Sequence, residues 1–531
     1  MPMDTAPDTP TPARNARLIT PWLALLLLTV LALALRFWRI AGQSLWLDEA
    51  ASRAFSLLPP GELLRRNADP GNPPLYYLML AAWRAGFGDS EAALRGLSAV
   101  LGALTVPVLY ALGRELFGRR VALLAAGLLA LSPIHLYYSQ EARQYVPVLW
   151  LGALAAWLFT RALRANRWGD WLGSASLMAV ACYVHYSALL IPAFAAAYLL
   201  LACRRRADDP SAGVVGTRAL AAGAVLLLLA LPGIWLYLAP TFLAADGYQY
   251  WQGYLTPAGL AKMLNKLFGR PVAAESPRIV KAGVGLLLGV VTAYPLYLGA
   301  RAARQEAPGA LRPILFALAY LLVPLLCYGA FARLRPAWQD RYLFVALPGY
   351  LLLVAWALLE LRGGRRLVLA GSLALLYAGG MASSLAGWQK DDWRGVARAV
   401  EQATAVAGET QGEVLITRPY LQLPFDYYYR GKLPRTGLPD WRRPLGDEDA
   451  AAVTAFCQRH AGHSSVFVVE GMSGSGDPGA LVAERLLAQH GEGWMRHFTG
   501  VRVFAFGRAG PALGGEPLTL ERLHGRRPER P

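Results

Sequence analysis

The chain has 531 residues, of which 55% are hydrophobic and only 16% are charged, and its mean hydropathy is +0.33. Soluble domains carry about 25% charged residues, so this composition excludes an ordinary soluble protein. The apolar residues lie in blocks, several of them close to the ~20 residues that a helix needs to cross a bilayer. The composition therefore predicts an α-helical polytopic membrane protein.

The apolar blocks predict eleven membrane-spanning helices. They lie near residues 20–38, 92–112, 121–138, 146–161, 170–184, 187–203, 219–239, 279–299, 314–332, 342–360 and 367–386. The stretch 170–203 is too long for one span, and His-Tyr-Ser at 185–187 is its natural break. A cleaved signal peptide is the alternative at the N-terminus, but the apolar stretch there is long enough to span and Arg36 follows it closely, which favours an uncleaved anchor.

The net charge of +17 does not indicate a nucleic-acid partner, because the basic residues follow the connections between the spans. The N-terminal segment and alternate connections hold 18 basic residues, whereas the other side holds 13 in segments that are longer in total. The positive-inside bias then predicts a cytoplasmic N-terminus. With eleven spans, the C-terminal domain is extracytoplasmic, and we expect a multi-pass protein of the plasma (inner) membrane.

Four regions follow from this pattern: a cytoplasmic N-terminal tail (1–19), a transmembrane domain (20–387), an extracytoplasmic α/β domain (388–512) and a disordered tail (513–531). In the α/β domain the apolar runs shorten to strand length and alternate with helical patterns. The predicted strands are 413–420, 464–471 and 501–508, and the predicted helices are 392–407, 448–461 and 479–490.

Ionisable residues stand out on the predicted outer face. Asp48 and Glu49 follow the first span, and Glu141 and Arg143 occupy a loop of about seven residues between two spans. A carboxylate pair that only caps a helix is the plain alternative for Asp48 and Glu49. However, ionisable groups at membrane depth are costly and mark functional sites. Arginine binds phosphate through its planar fork and a carboxylate can serve as general base, so the set suits an anionic lipid headgroup attacked by a hydroxyl.

Four stretches in this order resemble a known family: SLWLDEAAS, NPPLYYLMLAAWRAGFGDSEAALRGLSAVLGALTVPVLYALGRELFG, LSPIHLYYSQEARQY and QDRYLFVALPGYLLL. They look like the polyprenyl-phosphate-sugar-dependent glycosyltransferases of the GT-C class, and more narrowly like the protein O-mannosyltransferase and aminoarabinose-transferase superfamily. The resemblance covers roughly residues 20–390. It implies a GT-C-like fold of about 11 transmembrane helices, with a small C-terminal α/β domain of general likeness only.

The resemblance implies roles for three acidic residues, and we assign two arginines beside them. Asp48 matches the catalytic carboxylate that activates the acceptor hydroxyl, and Glu49 completes the acidic pair and orients the acceptor or the base. Glu141 falls where the family places its second-loop carboxylate. We assign Arg143 and Arg341 to the lipid phosphate. The implied reaction moves a sugar from a polyprenyl phosphate to a protein, lipid or glycan acceptor by direct inverting displacement.

Three further residues are candidate substrate contacts: Asn72, Tyr138 and His185. Many members of the family have His or Lys where this chain has Asn72, which puts a charged contact there in doubt. As a lone histidine, His185 is expected to pack or to touch the headgroup rather than to catalyse. No cofactor is required, because the donor arrives activated on lipid. A divalent cation shared by Asp48 and Glu141 is left open, and no residue is assigned as a metal ligand.

Two other classes of function compete with an enzyme. A transporter or flippase of lipid-linked saccharides explains the spans, but it predicts charges within the helices and often inverted repeats, and the sequence shows no repeat. A scaffold anchored in the membrane does not need eleven spans.

A short H-x-x-H pattern, His460 and His463, has no third ligand nearby in the sequence. We therefore expect a pair of surface histidines there and not a metal site.

Overall fold

The computed structural model describes residues 12–66, 72–203, 210–240, 254–269, 276–306, 311–386, 390–437, 447–460, 462–471 and 478–524. The chain forms two compact units. The membrane unit comprises Met1–Trp38 and Leu58–Gly387, and the C-terminal unit comprises Arg39–Leu57 and Trp388–Pro531.

A helical segment lies at each of the eleven predicted spans. In chain order the α-helices are Pro12–Phe37, Glu91–Phe117, Arg119–Ala130 with Pro133–Ser139, Tyr145–Ala165, Trp168–Val184, Leu190–Cys203, Pro210–Gly233, Arg278–Ala303, Pro313–Leu334, Leu347–Glu360 and Gly363–Ala386. Among the described residues, seven helices are long and apolar enough to cross a membrane. An eighth is added if the pair Arg119–Ala130 and Pro133–Ser139, bent by 56°, is one span. The multi-pass helical fold is thus confirmed, and the count of eleven stays a prediction.

The break expected at residues 185–187 is present. The helix Trp168–Val184 ends at His185, whose backbone is extended, and a short 3₁₀ helix, Tyr186–Leu189, leads into the next helix. The His185 side chain caps this turn by accepting a hydrogen bond from the Ser187 backbone N–H at 3.1 Å. This satisfies a buried donor that the start of the turn would otherwise leave without a partner.

Shorter helices connect the spans of the membrane unit: Pro60–Arg66, Leu75–Phe87 and Pro257–Leu267. Thr256 caps the last of these, accepting from the Gly259 N–H at 3.0 Å, and Pro257 begins it at a position where a missing N–H costs nothing. The helix is followed by Gly269, which has a positive φ of 74°. Gly380 lies against this turn, where a Cβ atom would overlap the carbonyl oxygen of Phe268.

The C-terminal unit is built on one six-stranded sheet. Its strands are β1 (Glu413–Ile416), β2 (Arg435–Gly437), β3 (Ser465–Gly471), β4 (Gly493–Phe498), β5 (Val501–Gly507) and β6 (Glu516–Pro517). The strand order is β2-β1-β3-β5-β4-β6, with β1 parallel to β2 and β3 and the remaining pairs antiparallel. The three predicted strands correspond to β1, β3 and β5, whereas the sequence prediction missed β2, β4 and β6.

Helices cover both faces of this sheet. Side chains alternate between the two faces along a strand, and β1, β3 and β5 are buried along nearly their whole length, so both faces must be covered. The longer ones, Trp393–Val406, Asp447–His460 and Pro478–His490, match the predicted helices closely, and two shorter ones are Gln422–Tyr428 and Leu520–His524. Val414 of β1 belongs to the core around Trp393, whereas its neighbour Leu415 belongs to the core around Phe456.

Two boundaries differ from those expected. Residues Arg39–Leu57, expected within the transmembrane domain, cluster with the C-terminal unit and include the helix Leu47–Ser56. The tail expected to be disordered from residue 513 forms β6 and the helix Leu520–His524, in which Leu523 is buried. The apolar residues of this tail are few, but they complete the core at the edge of the sheet.

Candidate active site

The loop that carries Glu141 is fixed to the end of the first helix. It connects the helix Pro133–Ser139 to the helix Tyr145–Ala165. The side-chain amide of Gln140 donates to the backbone carbonyls of Arg36, at 3.1 Å, and Trp38, at 2.8 Å. These bonds satisfy carbonyls that have no partner within the last turn of a helix, so the loop has a defined position within the membrane unit.

The two charged residues of this loop point into the protein. The Arg143 N–H donates to the Glu141 carbonyl at 2.8 Å, which makes a tight turn, and the Ser98 hydroxyl donates to the Arg143 carbonyl at 3.3 Å. Glu141 is 1% exposed and Arg143 is 5% exposed. Burial of ionised groups is costly unless other charges or a ligand compensate.

Aromatic rings surround Arg143 and Arg341. The guanidinium carbon of Arg143 lies 6.0 Å from the centroid of the Tyr145 ring, and that of Arg341 lies 5.6 Å from the same ring. Arg341 is also 5.9 Å from the ring of Tyr342. Cation–π attraction of this kind is stronger where water is excluded. The structure therefore brings together the two arginines that the sequence assigned to the lipid phosphate.

Lys266 and Asp340 join this group, and the sequence prediction assigned neither. Lys266 Nζ lies 3.2 Å from Asp340 Oδ1 and 5.2 Å from the Tyr138 ring. Burial lowers the pKa of Lys266, the carboxylates of Asp340 and Glu141 oppose that shift, and the Arg341 guanidinium adds to it.

We call Glu141, Arg143, Lys266, Asp340 and Arg341 the charged cluster. With Lys266 protonated, it has three cations and two carboxylates. Glu141 and Arg143 are buried, whereas Lys266, Asp340 and Arg341 are half-buried. A cluster with more cations than carboxylates is suited to an anionic ligand.

The predicted substrate contacts lie beside the charged cluster. The Tyr138 ring packs on Tyr145 and Phe344, with centroids 5.3 and 4.9 Å apart. Among the residues that the structure describes, the buried Tyr138 hydroxyl has no hydrogen-bond partner. Asn72 accepts a hydrogen bond from the Gln144 amide at 2.7 Å. A buried hydroxyl that protein groups do not satisfy calls for water or a ligand.

His185 also contacts this group through aromatic rings. It stacks on Tyr186 at 4.2 Å between centroids and lies 5.0 Å from Tyr342. Burial, with the positive charges of Arg143 and Arg341, holds the pKa of His185 well below its usual range. The imidazole is therefore neutral at pH 7, and its Nδ1 is already used in capping the turn at residue 187.

Asp48 and Glu49 lie in the C-terminal unit, on the helix Leu47–Ser56. Glu49 is fully buried: its Oε2 accepts from Lys390 Nζ at 3.1 Å and from the Trp46 N–H at 3.4 Å. Asp48 is half-buried. The two neighbouring carboxylates therefore have different environments, and Asp48 is the more accessible of the two.

Backbone and side-chain hydrogen bonds hold this segment to the rest of its unit. The Leu45 N–H donates to the Tyr428 hydroxyl at 2.7 Å, the Lys390 N–H donates to Gln43 Oε1 at 2.8 Å, and Arg394 donates to the Ala41 carbonyl at 3.0 Å. No pattern in the sequence could show this, because the partners are more than three hundred residues apart.

The aromatic and basic connection at 240–278 contributes Lys266 to the charged cluster. Its aromatic residues Tyr248, Tyr250 and Trp251 lie outside the described residues. The sequence did contain a signal for Asp340, because this residue directly precedes the assigned phosphate ligand Arg341 in the QDRYLF motif.

Comparisons with known proteins agree with this fold. A family model described as dolichyl-phosphate-mannose-protein mannosyltransferase matches residues 71–235, less than a third of the chain. No curated protein matches the sequence.

Solved structures match much more of the chain. ArnT from Cupriavidus metallidurans in the apo state is 16% identical with a TM-score of 0.58, covering 93% of this chain and 98% of ArnT. The same protein bound to undecaprenyl phosphate gives the same score and identity, covering 92% and 98%. The archaeal oligosaccharyltransferase AglB from Archaeoglobus fulgidus, in complex with an inhibitory peptide and a dolichol-phosphate, is 12% identical with a TM-score of 0.53, covering 92% and 74%.

The partial match to the family model and the shared fold agree with the resemblance inferred from the sequence, and the chain is a multi-pass helical membrane protein. Its fold is similar to that of ArnT over almost the whole length of both chains.

Proposed function

We propose that this protein moves a sugar from a polyprenyl-phosphate donor to an acceptor hydroxyl outside the cytoplasm, with inversion at the anomeric carbon. The observation that carries the proposal is the charged cluster, in which three cations and two carboxylates lie together near aromatic rings. The proteins of similar fold support the choice of ligand, since ArnT was solved with undecaprenyl phosphate and AglB with a dolichol-phosphate.

Arg143 and Arg341 are the proposed phosphate ligands, and Lys266 adds a third positive charge. Both guanidiniums are held near the Tyr145 ring, so little side-chain freedom is lost when the phosphate binds. The rings of Tyr138 and Tyr145 provide apolar faces for the sugar or the first isoprene unit.

In the proposed reaction the acceptor oxygen forms a bond to the anomeric carbon, and the bond from that carbon to the phosphate oxygen breaks. The electron pair leaves with the polyprenyl phosphate, whose growing negative charge the arginines stabilise. Asp48 takes the proton of the acceptor hydroxyl. The anomeric carbon passes through an oxocarbenium-like state, and a single displacement inverts its configuration.

Glu49 is assigned a positioning role, because its carboxylate is already engaged with Lys390 and the Trp46 N–H. Glu141 keeps its place as the second carboxylate of the site, where it balances part of the cluster's positive charge. The reaction requires no nucleotide cofactor, since the donor is already activated. We assign the N-terminus to the cytoplasm and the C-terminal unit to the outside of the plasma (inner) membrane.

The test uses the full chain purified in detergent, radiolabelled polyprenyl-phosphate sugars and a membrane extract as acceptor. Wild type is compared with Asp48→Asn and with Glu516→Gln, a neutralised carboxylate at an exposed position of the same unit. Loss of a general base lowers turnover by ~10²–10⁴-fold. We expect that loss in Asp48→Asn and wild-type turnover in Glu516→Gln, with and without a chelator.

Two results would contradict the proposal. Transfer that survives in Asp48→Asn at the wild-type rate removes the base assignment and leaves the enzyme class. Absence of transfer from every donor, together with movement of lipid-linked sugar across the membrane of vesicles that contain the protein, indicates the flippase instead.

A further inference from the structure

Three potential metal ligands converge in the C-terminal unit, and none of them is a residue assigned to sugar transfer. Glu413 is the first residue of β1, His460 ends the helix Asp447–His460, and His463 follows three residues later. One ligand atom from each lies within 4.8 Å of the other two. We propose that these three side chains form a binding site for a divalent transition-metal ion, with Zn²⁺ as the ion that fits best.

This corrects the expectation of a surface histidine pair without a third ligand. The third ligand comes from 47 residues upstream of His460, because β1 and the helix that precedes β3 lie side by side in the fold. Spacing along the sequence could not show this.

The carboxylate is positioned as a metal ligand would be. Glu413 has a side chain that is only 5% exposed, and its Oε1 accepts a hydrogen bond from the Thr436 hydroxyl on the neighbouring strand β2. Its other oxygen, Oε2, contacts His460 Nδ1 and lies 3.7 Å from His463 Nδ1. Hydrogen bonds from second partners commonly orient the ligands of metal sites in this way.

The two histidines leave one side of the group open. The side chain of His460 is 15% exposed and packs on the Phe456 ring at 4.4 Å between centroids, whereas that of His463 is 33% exposed. The two imidazole rings are nearly parallel, at 20°, with centroids 6.0 Å apart. Buried packing on one side and exposure on the other leave space for a water molecule as a fourth ligand.

The ligand types select the metal. Two imidazoles and one carboxylate suit Zn²⁺, which binds such groups at about 2.0–2.2 Å and takes water in the fourth tetrahedral position. Ligand atoms within 4.8 Å of one another need shifts of about 1 Å or less to reach those bond lengths. Without a metal, His460 contacts Glu413, and His463 Nδ1 lies 3.0 Å from the His460 carbonyl oxygen. A bound ion would replace these contacts with bonds from all three side chains to the metal.

Binding at this site would join β1 to the end of the helix Asp447–His460. Any ion that binds the folded state alone stabilises it by mass action, and metal ligation couples to folding through the same linkage. Such binding would raise the stability of the C-terminal unit, and it would not depend on sugar transfer.

The test uses the full chain in detergent, without a polyhistidine tag and stripped of metal with a chelator. ZnCl₂ is titrated against a chromophoric competitor, Co²⁺ is added in parallel as an absorbing probe, and thermal unfolding is recorded with and without ZnCl₂. The variants are His463→Ala, Glu413→Gln and, as the matched control, His497→Ala, an exposed histidine on β4 of the same unit.

We expect one Zn²⁺ per chain in wild type and His497→Ala, a tetrahedral Co²⁺ absorption band in both, and a higher unfolding temperature with ZnCl₂. In His463→Ala and Glu413→Gln we expect at least a tenfold weaker affinity and loss of the band. His463 is the more exposed ligand, so its alanine variant keeps the test informative if Glu413→Gln misfolds. Wild type without a saturable site, or His463→Ala that binds Zn²⁺ as wild type does, would overturn the proposal.

Discussion

The charged cluster of the membrane unit and two ion pairs of the C-terminal unit arrange charge in different ways. In the C-terminal unit, buried ions form close pairs of opposite charge: Lys390 with Glu49 at 3.1 Å, and Arg502 with Glu470 at 2.9 Å across β3 and β5. In the membrane unit, the ions of the charged cluster share rings and partners, and both Arg143 and Arg341 lie near Tyr145.

We infer from this difference that the pairs stabilise the fold, and we propose that the charged cluster binds a ligand. A closed pair offsets its own desolvation, and removing one partner leaves an uncompensated buried ion. A cluster with more cations than carboxylates attracts an anionic ligand. We therefore expect the paired charges to control stability and the cluster to control donor binding and turnover.

The largest effect is expected from Lys390→Met in the C-terminal unit. The Glu49 carboxylate, fully buried, loses the partner that compensates its charge, which costs about 3–5 kcal/mol of the free energy of unfolding. Chemical denaturation followed by tryptophan fluorescence measures this loss. In the double variant Glu49→Gln/Lys390→Met, which removes both charges, most of the stability should return. A double variant as unstable as Lys390→Met would show that packing, and not the charge pair, is responsible.

Next in size is the effect of Arg341→Gln on transfer. Removing one group that stabilises the developing charge lowers turnover by about 10²–10³-fold, while the unfolding temperature should change little. Arg335→Gln, which neutralises an exposed arginine six residues earlier, is the matched control and should transfer at the wild-type rate. If Arg341→Gln transferred sugar at the same rate as Arg335→Gln, Arg341 would not be a phosphate ligand.

A smaller effect is expected from pH through Lys266. Burial lowers the pKa of this lysine below its usual 10.5, so its positive charge is present at low pH and is lost earlier than usual as the pH rises. As the pH rises, affinity for the lipid phosphate should therefore begin to weaken before pH 10.5 is reached. Arginine stays charged throughout this range, and Lys266→Arg should abolish the weakening. An unchanged alkaline profile in Lys266→Arg would contradict the assignment.

The smallest effect is expected from Gln144→Leu. The change removes the hydrogen bond that holds Asn72, and one neutral hydrogen bond contributes about 0.5–1.5 kcal/mol. If Asn72 touches the substrate, KM should rise several-fold while kcat stays near its wild-type value. A fall in kcat with an unchanged KM would assign this pair to the transition state instead.

Much of the fold follows from the sequence, because hydrophobic blocks of span length and short β-rich runs are local signals. The helices at the eleven predicted spans and strands β1, β3 and β5 were predicted in this way, whereas the shorter connecting helices were not. Strands β2 and β6 are only three and two residues long, too short for a periodic pattern. The sequence also could not place Arg39–Leu57, because contacts across more than three hundred residues fix that segment.

The candidate site was predictable in its residue types but not in its grouping. Arg36 has the same signal as Arg143, a cation at membrane depth, yet it donates to the backbone carbonyls of Leu129 and Ala130 at 3.3 and 3.2 Å. Its guanidinium thereby satisfies backbone carbonyls at the end of a helix. Lys266 lies on an amphipathic helix where lysine is common, so no local feature distinguishes it. Only the fold shows which charges meet.

The most direct test of the charged cluster is equilibrium binding of undecaprenyl phosphate to the full chain in lipid nanodiscs. Five proteins are compared: wild type, Arg143→Gln, Arg341→Gln, Arg335→Gln and Asp48→Asn. We predict that Arg143→Gln and Arg341→Gln bind at least tenfold more weakly, whereas Arg335→Gln and Asp48→Asn bind as wild type does. If all five bind the lipid equally, the charged cluster is not the phosphate site.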